Sequence, residues 1–252
     1  MPRKHRRSVF DQAARLIGKA SKVFALAGEG LSGESGLAPF IDDAKLWHGN
    51  KPSWLARRDT FERHPELAWD WYRSRRREVR RHEPNAAHRA LADWQAVERN
   101  MILMTYCTAG YHEQAGQERL YEYRGTVWGN RCLECGQARR DTAQFQVALP
   151  VCPSCQAVER PDVSWLDDTR RVWREYAEDT PYMIFHALSE YDVLLVVGRG
   201  IVEEKPDFIR WLRAVEISDA GQKLERSLFL PGPAKGVLPD LLKAAATHRR
   251  ER

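Results

Sequence analysis

The sequence predicts an α/β fold: a doubly wound parallel sheet accompanied by a smaller zinc-binding domain. Three observations carry that expectation. Short, continuously apolar segments alternate with stretches of helical periodicity, a glycine-rich turn follows the first of them, and four of the five cysteines form two Cys-x-x-Cys pairs. Strands that are apolar on every residue are covered on both faces, and their alternation with helices gives a parallel, Rossmann-like sheet. With 43% hydrophobic and 30% charged residues over 252 positions, the chain can bury a full core and fits no disordered class.

Taken in order, Ser8-Val9-Phe10-Asp11 has the form of a capping box, and Ala13, Ala14 and Ile17 follow at helical spacing, so a first helix is expected near 8–20. The segment 23–27 reads as a buried strand, as do 101–105 and 193–197; 215–217 and 228–230 are weaker candidates. Residues 65–81 are helix-like, and a further helix is expected to be capped by Asn85. The stretch from about 120 to 165 interrupts this rhythm with its cysteines and with Pro150, Pro153 and Pro161. The expected organisation is a large Rossmann-like domain from 1–37, 91–119 and 166–252. A helical insert over 38–90 and a zinc-binding insert over 120–165 together make the small domain.

No apolar run approaches the roughly 18 residues of a membrane span, and Met1-Pro2-Arg3-Lys4-His5 lacks the apolar segment of a signal peptide. A cytoplasmic location is expected. The net charge of +5 is modest and gathers at the two ends and in the run Arg73 to His82. Such charge is usually solvated, so nucleic acid is not an expected partner, and a monomer is expected.

Cys132 and Cys135 are separated from Cys152 and Cys155 by sixteen residues. In a reducing compartment this arrangement reads as a metal site before it reads as disulfides. Four thiolates close a tetrahedron around zinc and leave no position for water, so the zinc is expected to be structural. Gly28-Glu29-Gly30-Leu31-Ser32-Gly33 fits Gly-x-Gly-x-x-Gly directly after the first strand, a turn that lets backbone approach a diphosphate. Pro39 soon interrupts any helix beyond it.

Together these segments resemble the sirtuin family over nearly the whole chain. Gly28 to Phe40, including Gly30, Ser32 and Gly36, is similar to that family's Gly-Ala-Gly-Ile-Ser loop. Thr105 to Gly116 is similar to its Thr-Gln-Asn-x-Asp segment, and Glu122-Tyr123-Arg124-Gly125-Thr126 to its Glu-Leu-His-Gly-Ser. Arg160 to Trp165 resembles the acyl-peptide binding strand, which implies substrate contacts for Val163 and Trp165. Leu195 to Gly198 resembles the strand that ends in Gly-Thr-Ser. The resemblance implies an NAD-dependent protein-lysine deacylase, with acylated lysine peptides as partners. A Tyr and an Arg three residues apart on a helix mark the desuccinylase and demalonylase type; Tyr72 and Arg75 reproduce that spacing. Positions i and i+3 share a helix face, and a guanidinium can grip a distal carboxylate. The alternative is that Arg73 to Arg81 is a solvated basic helix.

Measured against the family, the polar contacts to NAD are replaced. Arg124 stands where the catalytic His is expected, and a guanidinium offers no lone pair to act as a general base. Cys107 and Ala109 stand at the Asn and Asp positions, and Tyr106 at the preceding Gln. Glu29 sets a carboxylate in the phosphate loop, Ile41 follows Phe40 where an Arg is usual, and Gly198-Arg199-Gly200 replaces Gly-Thr-Ser. Ser218 replaces the Asn that holds the adenosine ribose, and the segment between Pro206 and Ser218 is shorter than the family's. NAD binding is therefore expected to be weak, and deacylase activity absent or severely reduced. Two alternatives stand beside this reading: a binding module for acyl-lysine peptides or another partner, and a working deacylase with an unusual site. In the second, His112 would be a substitute base or Cys107 a nucleophile, against their ordinary readings as a structural residue and a small apolar filler.

Overall fold

The strands that the sequence marks by continuous apolar character form the centre of the sheet. Residues 3–141, 149–167, 192–200, 213–219, 224 and 227–250 are described by the structure, a computed structural model. Six parallel strands lie in the order β3-β2-β1-β7-β8-β9. They are β1 (Val23–Ala27), β2 (Met101–Thr105), β3 (Leu120–Glu122), β7 (Val193–Val197), β8 (Arg213–Ser218) and β9 (Ser227–Pro231). Residues along β1 alternate between two cores: Val23, Ala25 and Ala27 face one apolar cluster, Phe24 and Leu26 the other. β7 divides the same way, with Val193, Leu195 and Val197 opposite Leu194 and Val196. Burial on both faces is why these strands carry no polar alternation.

Helices α1 (Arg3–Lys19), α6 (Ala86–Glu98) and α8 (Ala234–Arg250) cover the first face through Ile17, Leu91 and Leu241. The first helix differs from expectation. It begins at Arg3, because no helix breaker follows Pro2 and Lys and Arg are good helix formers. Ser8 sits inside the helix, where its Oγ accepts from Gln12 Nε2 at 3.2 Å. Asn85 caps α6 as expected: its Oδ1 accepts from Ala87 N at 3.0 Å and His88 N at 3.4 Å, while His88 Nδ1 accepts from Asn85 N. The same side chain donates to Leu31 O and Ser35 Oγ, which ties the helix to the glycine turn.

The smaller sheet is antiparallel, in the order β5-β4-β6: β4 (Gly125–Cys132), β5 (Ala138–Arg140) and β6 (Glu159–Val163). It packs on the helical insert, α3 (Pro52–Leu55), α4 (Arg58–Arg63) and α5 (Pro65–Val79), in one apolar cluster that includes Leu55, Phe61, Trp69, Tyr72, Val127 and Trp165. Two further short helices, α2 (Gly30–Gly33) and α7 (Tyr111–Gln114), follow β1 and β2. Among the described residues no helix is long and apolar enough to cross a membrane.

Candidate functional site

The four-cysteine site is built by two turns. Cys132 ends β4 and Cys135 lies in the turn toward β5; Cys152 and Cys155 lie in a second turn closed by a bridge between Val151 and Val158. The four Sγ atoms lie within 4.8 Å of one another, with Cys132 to Cys155 at 3.4 Å and Cys135 to Cys152 at 3.7 Å. Thiolates bound at about 2.3 Å to one tetrahedral ion sit roughly 3.8 Å apart, so this donor set fits zinc. The backbone N–H of Cys135 donates to Cys132 Sγ at 3.4 Å and, as the largest influence, holds that thiol down at about 7, nearer the thiolate a metal requires. All four positions come from the protein, which makes the site a structural one.

The second site lies where the strand order reverses, between β1 and β7, the usual ligand crevice of an open parallel sheet. A cleft of about 780 Å³ opens there, lined by Glu29, Gly30, Ser32, Phe40 and Ala109 among others. Gly30 N donates to Arg199 O at 3.1 Å, and a Cβ on Gly30 would stand 2.8 Å from Arg199 N, so only glycine lets the two loops meet. Glu34 anchors the opposite wall. Its carboxylate accepts from Ala234 N at 2.8 Å and Lys235 N at 2.7 Å, a negative charge on the first N–H groups of α8.

Several of the residues singled out in the sequence converge on this cleft. Glu29, Gly30, Ser32, Phe40, Arg75, Cys107, Ala109 and Gly200 line it, with Arg199 beside them. Arg75 enters from α5: one terminal nitrogen donates to Ala38 O at 2.9 Å, its Nε is buried without a hydrogen-bond partner, and its guanidinium lies 5.7 Å from the Phe40 ring. Burial holds it below its ordinary pKa while Glu78 and Glu29 pull it back up. Tyr72, Val163 and Trp165 lie behind this wall, buried in the small-domain core, and do not line the cleft. The hydroxyl of Tyr72 and the indole nitrogen of Trp165 are buried there and lie close enough to influence each other.

Arg124 sits at the junction of the two sheets. Its carbonyl accepts from Ser164 N at 3.0 Å, and the next residue, Gly125, has φ of 71° with a position for Cβ only 2.0 Å from Asp162 O, which excludes any side chain. Its Nη1 donates to Glu29 Oε1 at 2.8 Å, both side chains being 33% exposed. The guanidinium also lies 5.7 Å from the ring of Tyr106, which packs on Tyr123 at 4.6 Å. Arg124, Glu29 and Tyr106 are separate replacements in the sequence, and nothing in the sequence reveals that the first two, 95 positions apart, form an ion pair.

The other replacements are also accommodated. Arg199 and Asp219 form a bidentate pair, with both contacts at 2.7 Å, beside Gly198, Gly200 and Ser218. Cys107 Sγ donates to Gly28 O at 3.0 Å, and burial pushes its thiol up from the ordinary range. That is the state of an inert, protonated thiol. His112 is fully buried against His88, at 4.7 Å between rings, and does not line the cleft. The segment between Pro206 and Ser218, expected to be shorter than the family's, lies outside the described residues apart from 213–218.

A doubly wound sheet with a ligand crevice at its reversal point, joined to a four-cysteine module through a cleft, defines a dinucleotide-type scaffold with a zinc-bearing small domain. A sequence model of the Sir2 family matches residues 28–203, so the chain belongs to the Sir2 (sirtuin) family. An NAD-dependent protein deacylase of Thermococcus kodakarensis is 30% identical over 97% of this chain and 98% of its own. One from Leptospira interrogans is 30% identical over 89% and 93%. A crystal structure of a Sir2 homolog–NAD complex superimposes with a TM-score of 0.77 at 25% identity, covering 94% of each chain. A Sir2 bound to acetylated peptide shares the fold at a TM-score of 0.67 and 17% identity, over 100% of this chain and 98% of that one. In shape, the cleft and its glycine turn fit a dinucleotide. In charge, Glu29 stands in the turn and Arg124 and Arg199 are engaged by carboxylates, while Arg75 and Lys235 also line the cleft.

Proposed function

We propose that this is a sirtuin of the desuccinylase-like type, derived from NAD-dependent protein-lysine deacylases of the cytoplasm, in which deacylation is absent or severely reduced. Arg124 is the observation that supports this reading most directly. It stands where the family's base is expected, carries no lone pair, and is engaged by Glu29 at 2.8 Å. Loss of a general base alone removes about 10²- to 10⁴-fold in rate. Ala109 offers no side-chain hydrogen bond, and the Cys107 thiol spends its own on Gly28 O, so neither orders a nicotinamide ribose.

The acyl end of the cleft supports a second, binding role. Arg75 brings a largely desolvated guanidinium to the wall of the cleft with its Nε unpartnered, which suits the distal carboxylate of an acidic acyl chain. Zinc-loaded protein assayed with NAD and a succinyl-lysine peptide should show no NAD consumption above background. The single substitution Arg124→His should not restore it, because Cys107, Ala109 and Glu29 remain. Calorimetric titration with the same peptide should show binding that Arg75→Met abolishes. Robust turnover by the unmodified chain would overturn the loss of activity, and peptide binding indifferent to Arg75 would overturn the acyl-site reading.

A further inference from the structure

Glu29 and Arg124 are both departures from the family pattern, and the structure joins them. The carboxylate rises from the first turn after β1, at the position preceding α2; the guanidinium reaches it from the junction of β3 and β4. The backbone at both ends is anchored. Glu29 is held between Gly28, bonded to Val197 O at 2.9 Å, and Gly30, bonded to Arg199 O at 3.1 Å, while Arg124 is fixed by Ser164 and by the contact of Gly125 with β6.

The backbone of the turn is engaged internally as well. Gly28, Gly30, Leu31, Ser32, Gly33 and Glu34 all direct their N–H groups to protein carbonyls, so the turn keeps its shape without an anion. An anion entering here would meet a carboxylate already neutralised by Arg124. To gain the guanidinium for itself it would have to expel Glu29 and then sit beside it, which is unfavourable for like charges at a few ångströms.

We infer that Glu29 and Arg124 form an internal latch: the carboxylate occupies the cofactor turn in place of a diphosphate and holds Arg124 as its counter-ion. This rests on the reading of the cleft as a former cofactor site, but it concerns binding and not turnover. Both partners are one-third exposed, and ion pairs of that kind are individually weak. The latch therefore disfavours an anion at the turn by engaging the guanidinium nearest to it, not by blocking the cleft mechanically. Its consequence is directional. Removing the acid should create an anion site, whereas removing the base should not.

The test is titration calorimetry of ADP-ribose, and separately of NAD, into the zinc-loaded full chain and its Glu29→Ala, Glu29→Gln, Arg124→Ala and Glu29→Ala/Arg124→Ala variants, with zinc content and melting temperature checked for each. Both Glu29 variants should bind ADP-ribose at least about tenfold more tightly than the parent, and this gain should shrink as salt is raised. Arg124→Ala should bind no better than the parent, and the double variant should lose most of the gain. The latch is refuted if the Glu29 variants bind no better than the parent, or if the double variant binds as tightly as Glu29→Ala, because the freed guanidinium would then have no part in it. A parent chain that turns over NAD would refute the proposed loss of activity and leave the latch standing, unless it also binds ADP-ribose as tightly as Glu29→Ala.

Discussion

Arg76 shows where reading single residues from the sequence stops. It belongs to a basic run for which two readings were open, an acyl site or a solvated face, and its own role is neither. Its guanidinium is buried, with Nε donating to Val127 O at 2.5 Å, one terminal nitrogen to Asp141 at 2.9 Å and the other to Asn130 Oδ1 at 3.0 Å. It also lies between the rings of Trp69 and Trp128, at 5.3 and 5.9 Å. Burial lowers its pKa and Asp141 restores part of it. Arg76 thus fastens α5 to β4, the helical insert to the zinc-bearing sheet. The neighbouring arginines have the same composition and differ only in direction: Arg75 faces the cleft, Arg81 pairs with Glu78 at the surface. Helical spacing could separate these directions in principle, but not without knowing which face is buried. Arg76→Leu should destabilise the chain by about 3–5 kcal/mol in urea denaturation, because it takes the buried guanidinium partner away from the Asp141 carboxylate. A loss under about 1 kcal/mol would mean that the pair is hydrated and weak.

At the scale of elements, legibility followed burial. β1, β2 and β7 are readable to the residue because both faces are covered and every position is apolar except Thr105 at the end of β2. β8 was a weaker expectation because Glu216 interrupts it; that carboxylate is buried and accepts from Leu224 N at 2.7 Å. β3 was missed: it is short, lies at the sheet edge and includes the exposed Tyr121. β4 and β5 were hidden by polar residues whose partners lie elsewhere, such as Arg131 with Asp162 and Arg139 with Glu159. The cysteine spacing compensated by locating the module that these strands build. That module has little apolar core around its turns: Cys135 and Cys155 are exposed, as is Val151. Besides the cysteines, Ser154 Oγ donates to Gln137 Oε1 at 2.6 Å to join the two turns, an exposed bond much weaker than four metal–thiolate bonds. Purified protein should contain one equivalent of zinc, and stripping it with a chelator should unfold the small sheet, seen as lost amide protection in 125–163 while the β1, β2 and β7 core persists. A metal-free chain with that protection intact would leave the cysteines without a structural role.

For the molecule as a whole, the proton balance of its buried groups sets how stability depends on pH. His88 on α6 and His112 on α7 lie ring against ring, beside Tyr111. Burial, reinforced by Arg89, brings His88 down to about 3, and burial with His88 alongside takes His112 well below its ordinary value. The unfolded chain takes up these protons as the pH drops through 6.5, and the native chain does not. Stability from this pair is therefore complete above about 6.5 and is lost progressively below it. Glu113 works in the opposite sense. Burial and the neighbouring Glu122 raise it to about 7 against the pull of Arg140, so it withdraws stability as the pH climbs from 4.5 toward 7. Arg140 comes from the zinc-bearing sheet and joins both acids, so this cluster also links the two domains. The two imidazoles outweigh the one partly exposed carboxyl, since each proton carries roughly 1.4 kcal/mol per pH unit where the folded and unfolded values differ. Urea midpoints should therefore rise between about pH 5 and pH 7 and then level off. His112→Gln should flatten that rise by removing one of the two protons. A flat profile in the unmodified chain would mean that the histidine pair is hydrated in the native state and titrates as it does in the unfolded one.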